Sequence, residues 1–354
     1  MEIKIIKEDK DFYLLKDSWE KLEKKNTEIS IYSTYEFNKT WWDTYKKDKN
    51  NSLFLIYVFE GDNILGIAPL YIKKRQKSFL KWRELHFIGQ GDYLNFIVDE
   101  DKNNAVIKYL MDAIYDNKKY WDRIVLSYIS ANTNLAHYLL KDDRYNELTN
   151  YLVETPYINL KNFKSIKDMK LPSKTNKYRN KLIREVGYDF KIITDIDDNI
   201  YNKITELHKN QQKFLRDEAN RKNRKSLFDD NLNNEYLDNL RKNSENTLLF
   251  LLLDKEENII CYRNTYKFKD TIYSWNTAYN IDYIDYRVNG TIYYEIFNYI
   301  IENNIADKFD FGSGRYPWKF RWTDEFILTY QYEDWNLETR RVKLVKKLID
   351  MRNK

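Results

Sequence analysis

Three places in this 354-residue chain combine residue types that do chemistry. The first is Asp310-Phe311-Gly312-Ser313-Gly314, followed by the aromatic and basic run Trp318-Lys319-Phe320-Arg321-Trp322. A short strand over 308–311 is predicted to enter a Gly-x-Gly turn, where glycine permits positive φ and close approach of a ligand to the backbone. Asp310 at the strand end has two roles open to it. It can take a proton from an acceptor amine or hydroxyl, or hold the turn by accepting backbone N–H bonds. Lys319 and Arg321 fit an anionic group of an acceptor or a carrier phosphate, or else a solvated basic face. The second place is His208, in a long predicted helix over 198–217. An imidazole with an ordinary pKa of about 6.5 suits proton transfer near neutrality, and an ordinary surface histidine on a charged helix is the alternative. The third is Gly89-Gln90-Gly91-Asp92-Tyr93, a loop whose Asp92 and Tyr93 either face an acceptor or pack between domains.

The elements that must position these residues alternate strand and helix twice along the chain. Strand, helix, helix, a hairpin across Gly61-Asp62, strand, the 89–91 loop, helix and strand occupy roughly the first 150 residues. A strand over 157–160, a basic helix over 176–187 and a strand over 189–193 follow. Then come helices over 198–217 and 233–243, a hairpin over 247–268, a strand over 271–278, a helix over 291–303 and the 308–311 strand. A strand over 327–335 and a basic amphipathic helix over 337–352 close the chain. That helix carries Val342, Val345, Leu348 and Ile349 at helical spacing, for docking onto the body, with a membrane surface or RNA contact as further uses. The expected fold class is α/β with mixed sheets in two similar domains, 1–150 and 151–336, followed by the 337–354 helix. The glycine turns of the two halves are expected to line a cleft between the domains.

Composition narrows the possibilities. Aromatics make up 16% of the chain, which excludes extensive disorder. The net charge of +5 is too mild to imply nucleic-acid binding by itself, although clustered bases would favour an anionic ligand. One cysteine, Cys261, excludes an intrachain disulfide and a cysteine-rich metal site. His86, His137 and His208 show no ligand spacing, so no metal is expected. No stretch approaches the roughly 20 apolar residues of a membrane span, and the expectation is a cytoplasmic protein.

Four segments carry a family resemblance. Asp310-Phe311-Gly312-Ser313-Gly314 with Lys319 and Arg321-Trp322 resembles the closing motif of one branch of the GNAT-type acyltransferases. This is the cellulose-biosynthesis-protein-like branch, near the Fem-type peptidyltransferases. Leu85 to Phe96 resembles its Gly-x-Gly-x-Asp-Tyr signature, Glu154 to Leu160 its linker strand, and the 176–185 helix its Arg-rich helix. The order holds across nearly the whole chain, with Asn95 where the family has Asp.

The resemblance implies tandem GNAT-like domains with the donor site in the second. Arg287-Val288-Asn289-Gly290-Thr291 then stands where such enzymes hold the CoA pyrophosphate. Free N–H groups and the helix dipole attract phosphate there, with Thr291 as a cap. Ile292 replaces the last small residue of that loop, and an ordinary capped helix start is the alternative. Family members often carry a histidine at the position of His208. Trp275, on the 271–278 strand, joins Asp92, Tyr93, Lys319 and Arg321 as an expected substrate contact.

The implied activity is transfer of an acyl group from acyl-CoA, or from an acyl carrier protein's phosphopantetheine, to an amine or hydroxyl of a sugar, peptide or natural-product acceptor. No activated Cys or Ser is evident, so direct attack in a ternary complex is expected. His208 and Asp310 are the candidates for removing the acceptor proton. The alternatives are a Fem-type transferase using aminoacyl-tRNA and a non-catalytic binding protein on a GNAT scaffold.

Overall fold

The computed structural model describes residues 1–351 and divides into two compact units, 1–154 with 327–351, and 155–326. In the first unit, Glu2–Ile6, Leu55–Glu60, Asn63–Ala68 and Ile97–Val98 form a four-stranded antiparallel sheet. Asn51–Leu53, Leu70–Lys77 and Leu80–Phe87 pair antiparallel in turn. Leu80–Phe87 runs parallel to Arg123–Ser130, with the Asn103–Asp116 helix lying between them in the chain.

The expected 52–60 and 63–73 hairpin is therefore two pieces. Both strands break, at Phe54 and at Pro69, and each continues in a different ladder. Pro69 has no N–H to give to a ladder, which makes that point a natural break.

The Phe326–Trp335 strand pairs antiparallel with Arg123–Ser130 from Thr329 to Trp335. The Arg340–Asp350 helix then buries Val342 and Val345 against Trp82 and Trp335. Sequence alone placed this strand at the end of a second domain, 151–336, and the helix apart as 337–354. Strand pairing and these apolar contacts group residues 327–351 with the first unit instead. Residues 352–354 of the expected helix lie outside the described residues.

In the second unit the order is Asp189–Ile193, Thr247–Leu253, Ile259–Phe268, Thr271–Tyr279, Lys308–Asp310, and the end of Thr149–Asn159. All neighbours are antiparallel except Thr271–Tyr279 and Lys308–Asp310, which run parallel with the Val288–Asn303 helix between them in the chain. Ile292, Tyr293, Ile296, Phe297 and Ile300 of that helix join Phe250, Ile260, Ile272, Phe309, Phe311 and Trp322 in one core. The parallel pair shares only three positions, ending at Tyr273 and Asp310. Thr271–Tyr279 thus runs on for six residues past its neighbour. Among the described residues no helix is long and apolar enough to cross a membrane.

Candidate active site

The end of the Thr271–Tyr279 strand, paired there with Ile259–Phe268 but not on its other side, leads through a 3-10 turn, Ile281–Tyr286, into the Val288–Asn303 helix. Arg287 is the residue before that helix, in the left-handed region at φ 48°, and no side chain caps the helix N-terminus. Its guanidinium lies 4.6 Å from the centre of the Tyr178 ring. Thr291 does not cap the helix as expected. The left-handed Arg287 starts the helix at Val288, which puts Thr291 one turn inside, 1% exposed, with no partner for Oγ1 among the described residues.

A second helix, Thr175–Glu185, also starts after a left-handed residue, Lys174 at φ 72°, and also lacks a side-chain cap. The two N-termini adjoin: a Cβ on Gly290 would stand 3.6 Å from Thr175 Oγ1. Arg179 binds the helices together, donating to Glu295 at 2.7 Å and lying 4.3 Å over the Tyr294 ring. Each uncapped end presents backbone N–H groups without helical partners and the positive end of a dipole. Side by side they suit an anion.

Polar groups crowd the strands beside this point. Arg263, 3% exposed, donates from Nη1 to Ser274 Oγ at 2.8 Å and lies 4.1 Å over the Tyr293 ring. Its Nε has no partner among the described residues. Tyr262 donates to Asn276 Oδ1 at 2.9 Å. Cys261 is fully buried, and burial pushes its thiol up to about 12, so it stays protonated and offers no nucleophile.

The Gly-x-Gly turn is held from within. Asp310 is buried and accepts from Gly312 N–H at 2.8 Å. Lys319, 2% exposed, donates from Nζ to the carbonyls of Gly312 at 2.6 Å and Ser313 at 2.7 Å. Gly312 and Gly314 have φ of 77° and 110°. Asp310 thus accepts a turn N–H, and the Lys319 ammonium donates to two carbonyls of the same turn. Arg321 is exposed, and Trp322 packs into the core against Tyr293 and Phe297. Trp275 stands edge-on to Tyr266, with ring centres 6.3 Å apart.

His208 is 5% exposed, with Nδ1 2.8 Å from Ser226 Oγ and its ring edge-on to Phe228 at 5.3 Å. Burial pushes the imidazole down to about 4; the Asp229 carboxylate opposes this and the Arg224 guanidinium adds to it. The ring is neutral at neutral pH and can accept a proton, as a weak base. Its helix, Asp198–Asp217, packs on the Thr271–Tyr279 strand.

The family of GNAT acetyltransferase domains matches residues 170–320. This stretch is a GNAT acetyltransferase domain. Across the whole chain the fold is mixed α/β and resembles solved structures at low identity. The crystal structure of FemX aligns with a TM-score of 0.61 at 13% identity, over 94% of this chain and 97% of that one. L-PGS from Bacillus licheniformis aligns at 0.54 and 14%, over 96% and 97%. A tandem GNAT protein from the clavulanic acid biosynthesis pathway aligns at 0.52 and 8%, over 94% and 98%. No curated protein sequence matches the chain.

The second unit holds Arg287, Gly290, Thr291, Trp275, His208, Asp310, Lys319 and Arg321. Asp92 and Tyr93 belong to the other unit, where Tyr93 is buried and its carbonyl accepts from Ser30 Oγ at 3.0 Å. Asp92 is half-buried and adds to the upward push that burial gives Tyr128. Sequence reasoning missed Ser226, which fixes the His208 ring, and buried Arg263. Ser226 has no sequence signal, because it comes from an irregular loop 18 residues on. Arg263 had one: it is a charged residue inside an apolar strand pattern. Among the described residues no group of three or more His, Cys, Asp or Glu side chains is placed to hold a metal ion.

Proposed function

We propose that this protein is an N- or O-acyltransferase that moves an acyl group from a thioester donor, CoA or a phosphopantetheine carrier, directly to an amine or hydroxyl acceptor. The observation that carries this reading is the pair of adjoining uncapped helix N-termini at Thr175 and Val288, the second reached directly from the far end of the Thr271–Tyr279 strand. Arg287 and the N–H groups that open the Val288–Asn303 helix would hold the donor's phosphates, with Gly290 leaving room for their approach; the Gly290 N–H itself donates to the Arg287 carbonyl, and the Thr291 hydroxyl is buried behind it. The strand end at 274–279, free of a partner on the side away from Ile259–Phe268, offers N–H and C=O groups to the donor's amide arm. His208, kept neutral by burial and oriented by Ser226, would take the acceptor proton. With Cys261 protonated and buried, no covalent acyl-enzyme is required.

Native mass spectrometry of the purified chain with acetyl-CoA, an acyl carrier protein and charged tRNA tests the donor. Retention of acetyl-CoA or of the carrier, followed by acyl transfer to an amine, is the expected result. Retention of charged tRNA alone overturns the thioester reading in favour of aminoacyl transfer.

A further inference from the structure

An open surface depression of about 750 Å³ in the second unit is lined by Asn220, Arg221, Lys222, Asn223, Arg224 and Tyr316, all exposed except the half-buried Arg224. Its charge is one-sided. Arg221, Lys222 and Arg224 come from four consecutive positions, folded back by Arg221 N–H bonding to the Leu215 carbonyl and Arg224 N–H to the Arg221 carbonyl. None of the three forms an ion pair among the described residues. Nearby carboxylates are engaged elsewhere: Asp217 with Arg216 at 2.8 Å, and Asp229 with the Ser226 N–H at 2.9 Å. Glu218, just upstream, is not among the lining residues. Three unneutralised cations on one short loop repel one another, and an anion seated between them removes that cost. Two guanidiniums and an ammonium match the oxygens of a phosphate ester. Tyr316, 48% exposed, gives the depression a ring face as well.

We infer that this depression seats a phosphate group of the second, acyl-accepting substrate. The assignment to the acceptor rests on the acyltransferase reading; the phosphate chemistry does not. The depression belongs to the loop after the His208 helix and to the turn segment after Asp310, whereas the donor loop begins at Arg287. Arg224 lies two residues before Ser226, whose hydroxyl is 2.8 Å from His208 Nδ1, so a phosphate held on this loop places its substrate beside the proposed proton acceptor.

Calorimetric titration of the full chain with inorganic pyrophosphate, in saturating CoA, tests this. One pyrophosphate per chain is expected. Arg221→Ser, Lys222→Ser and Arg224→Ser together should raise its Kd at least tenfold and leave CoA affinity unchanged. Unchanged pyrophosphate affinity in that variant overturns the site. Equal displacement by sulfate at matched ionic strength also overturns it, since that is an ion cloud rather than a phosphate seat. If saturating CoA abolishes pyrophosphate binding to the wild-type chain, the depression belongs to the donor and the acceptor assignment falls. Failure of CoA itself to bind, with pyrophosphate still held by the three cations, strikes the donor reading alone.

Discussion

Gly91 lies in a loop of the first unit and Gly290 in the first turn of the Val288–Asn303 helix of the second, and the packing around them explains only one of the two glycines. A Cβ at Gly91 would stand 2.2 Å from Cγ of Tyr32, inside a ring that cannot yield. A Cβ at Gly290 would meet nothing closer than Thr175 Oγ1 at 3.6 Å, an ordinary contact. The first glycine is a packing requirement; the second leaves space that the chain does not fill. The histidines divide the same way. His86 has the Glu84 carboxylate at 3.0 Å, itself held well below the usual carboxylate range despite burial by His86, Trp82 and Arg75. His208 has a serine hydroxyl and, among the described residues, no hydrogen-bonded carboxylate, Asp229 acting on it only from a distance. Polar groups that a fold leaves unsaturated mark where a ligand completes it.

Replacing the two histidines gives the widest expected separation. His208→Ala should lower turnover by roughly 10²–10⁴ with the fold kept, and His86→Ala should leave turnover within a few-fold of wild type. Wild-type turnover in a folded His208→Ala protein would remove the proton acceptor from the scheme. The pH profile sharpens the point. His208 has a lowered pKa in the folded chain, so activity should hold above it and fall as pH drops toward about 4. That acid limb should be absent from residual activity in the alanine variant. By linkage, the same group stabilises the fold fully above its unfolded pKa of about 6.5, and this contribution is lost as pH falls from there toward 4.

Arg287→Ala comes next. Loss of a charge-assisted phosphate contact should weaken donor binding by about 1.5–3 kcal/mol with the chemical step little changed. Calorimetry with CoA reads this directly, and unchanged affinity would remove Arg287 from the donor site.

The glycines themselves should part by sign. Gly91→Ala should destabilise by about 1–3 kcal/mol through overpacking against Tyr32, with donor affinity unchanged, in denaturant titrations. The smallest effect is that of Gly290→Ala, a stability gain of about 0.5–1 kcal/mol from helix propensity, accompanied by weaker donor binding. Equal destabilisation by both substitutions would erase the contrast.

Much of the second unit was readable because its signals are local. The 308–311 strand, the glycine turn and Asp310 lie within a few residues of one another, and Asp310 does hold the N–H two positions on. In sequence, the charge of Lys319 fits an anionic ligand or a solvated basic face equally. Only the folded turn shows that its ammonium is spent on the Gly312 and Ser313 carbonyls. Ser226 beside His208 and the left-handed Arg287 that starts a helix uncapped were illegible for the same reason: irregular backbone has no period to read. The grouping of Phe326–Trp335 with Arg123–Ser130 joins residues some two hundred positions apart, which periodicity cannot report.

That long-range pairing bears on how the chain is made. The whole of 155–326 is an insertion within the first unit, so a ribosome delivers the insertion complete before it delivers the strand that finishes what surrounds it. The inserted unit can fold early, while the first waits with the Arg123–Ser130 edge exposed until residues 329–335 emerge. Shortening the chain at Phe326 would therefore take a strand from the first unit and leave the GNAT domain with all of its residues.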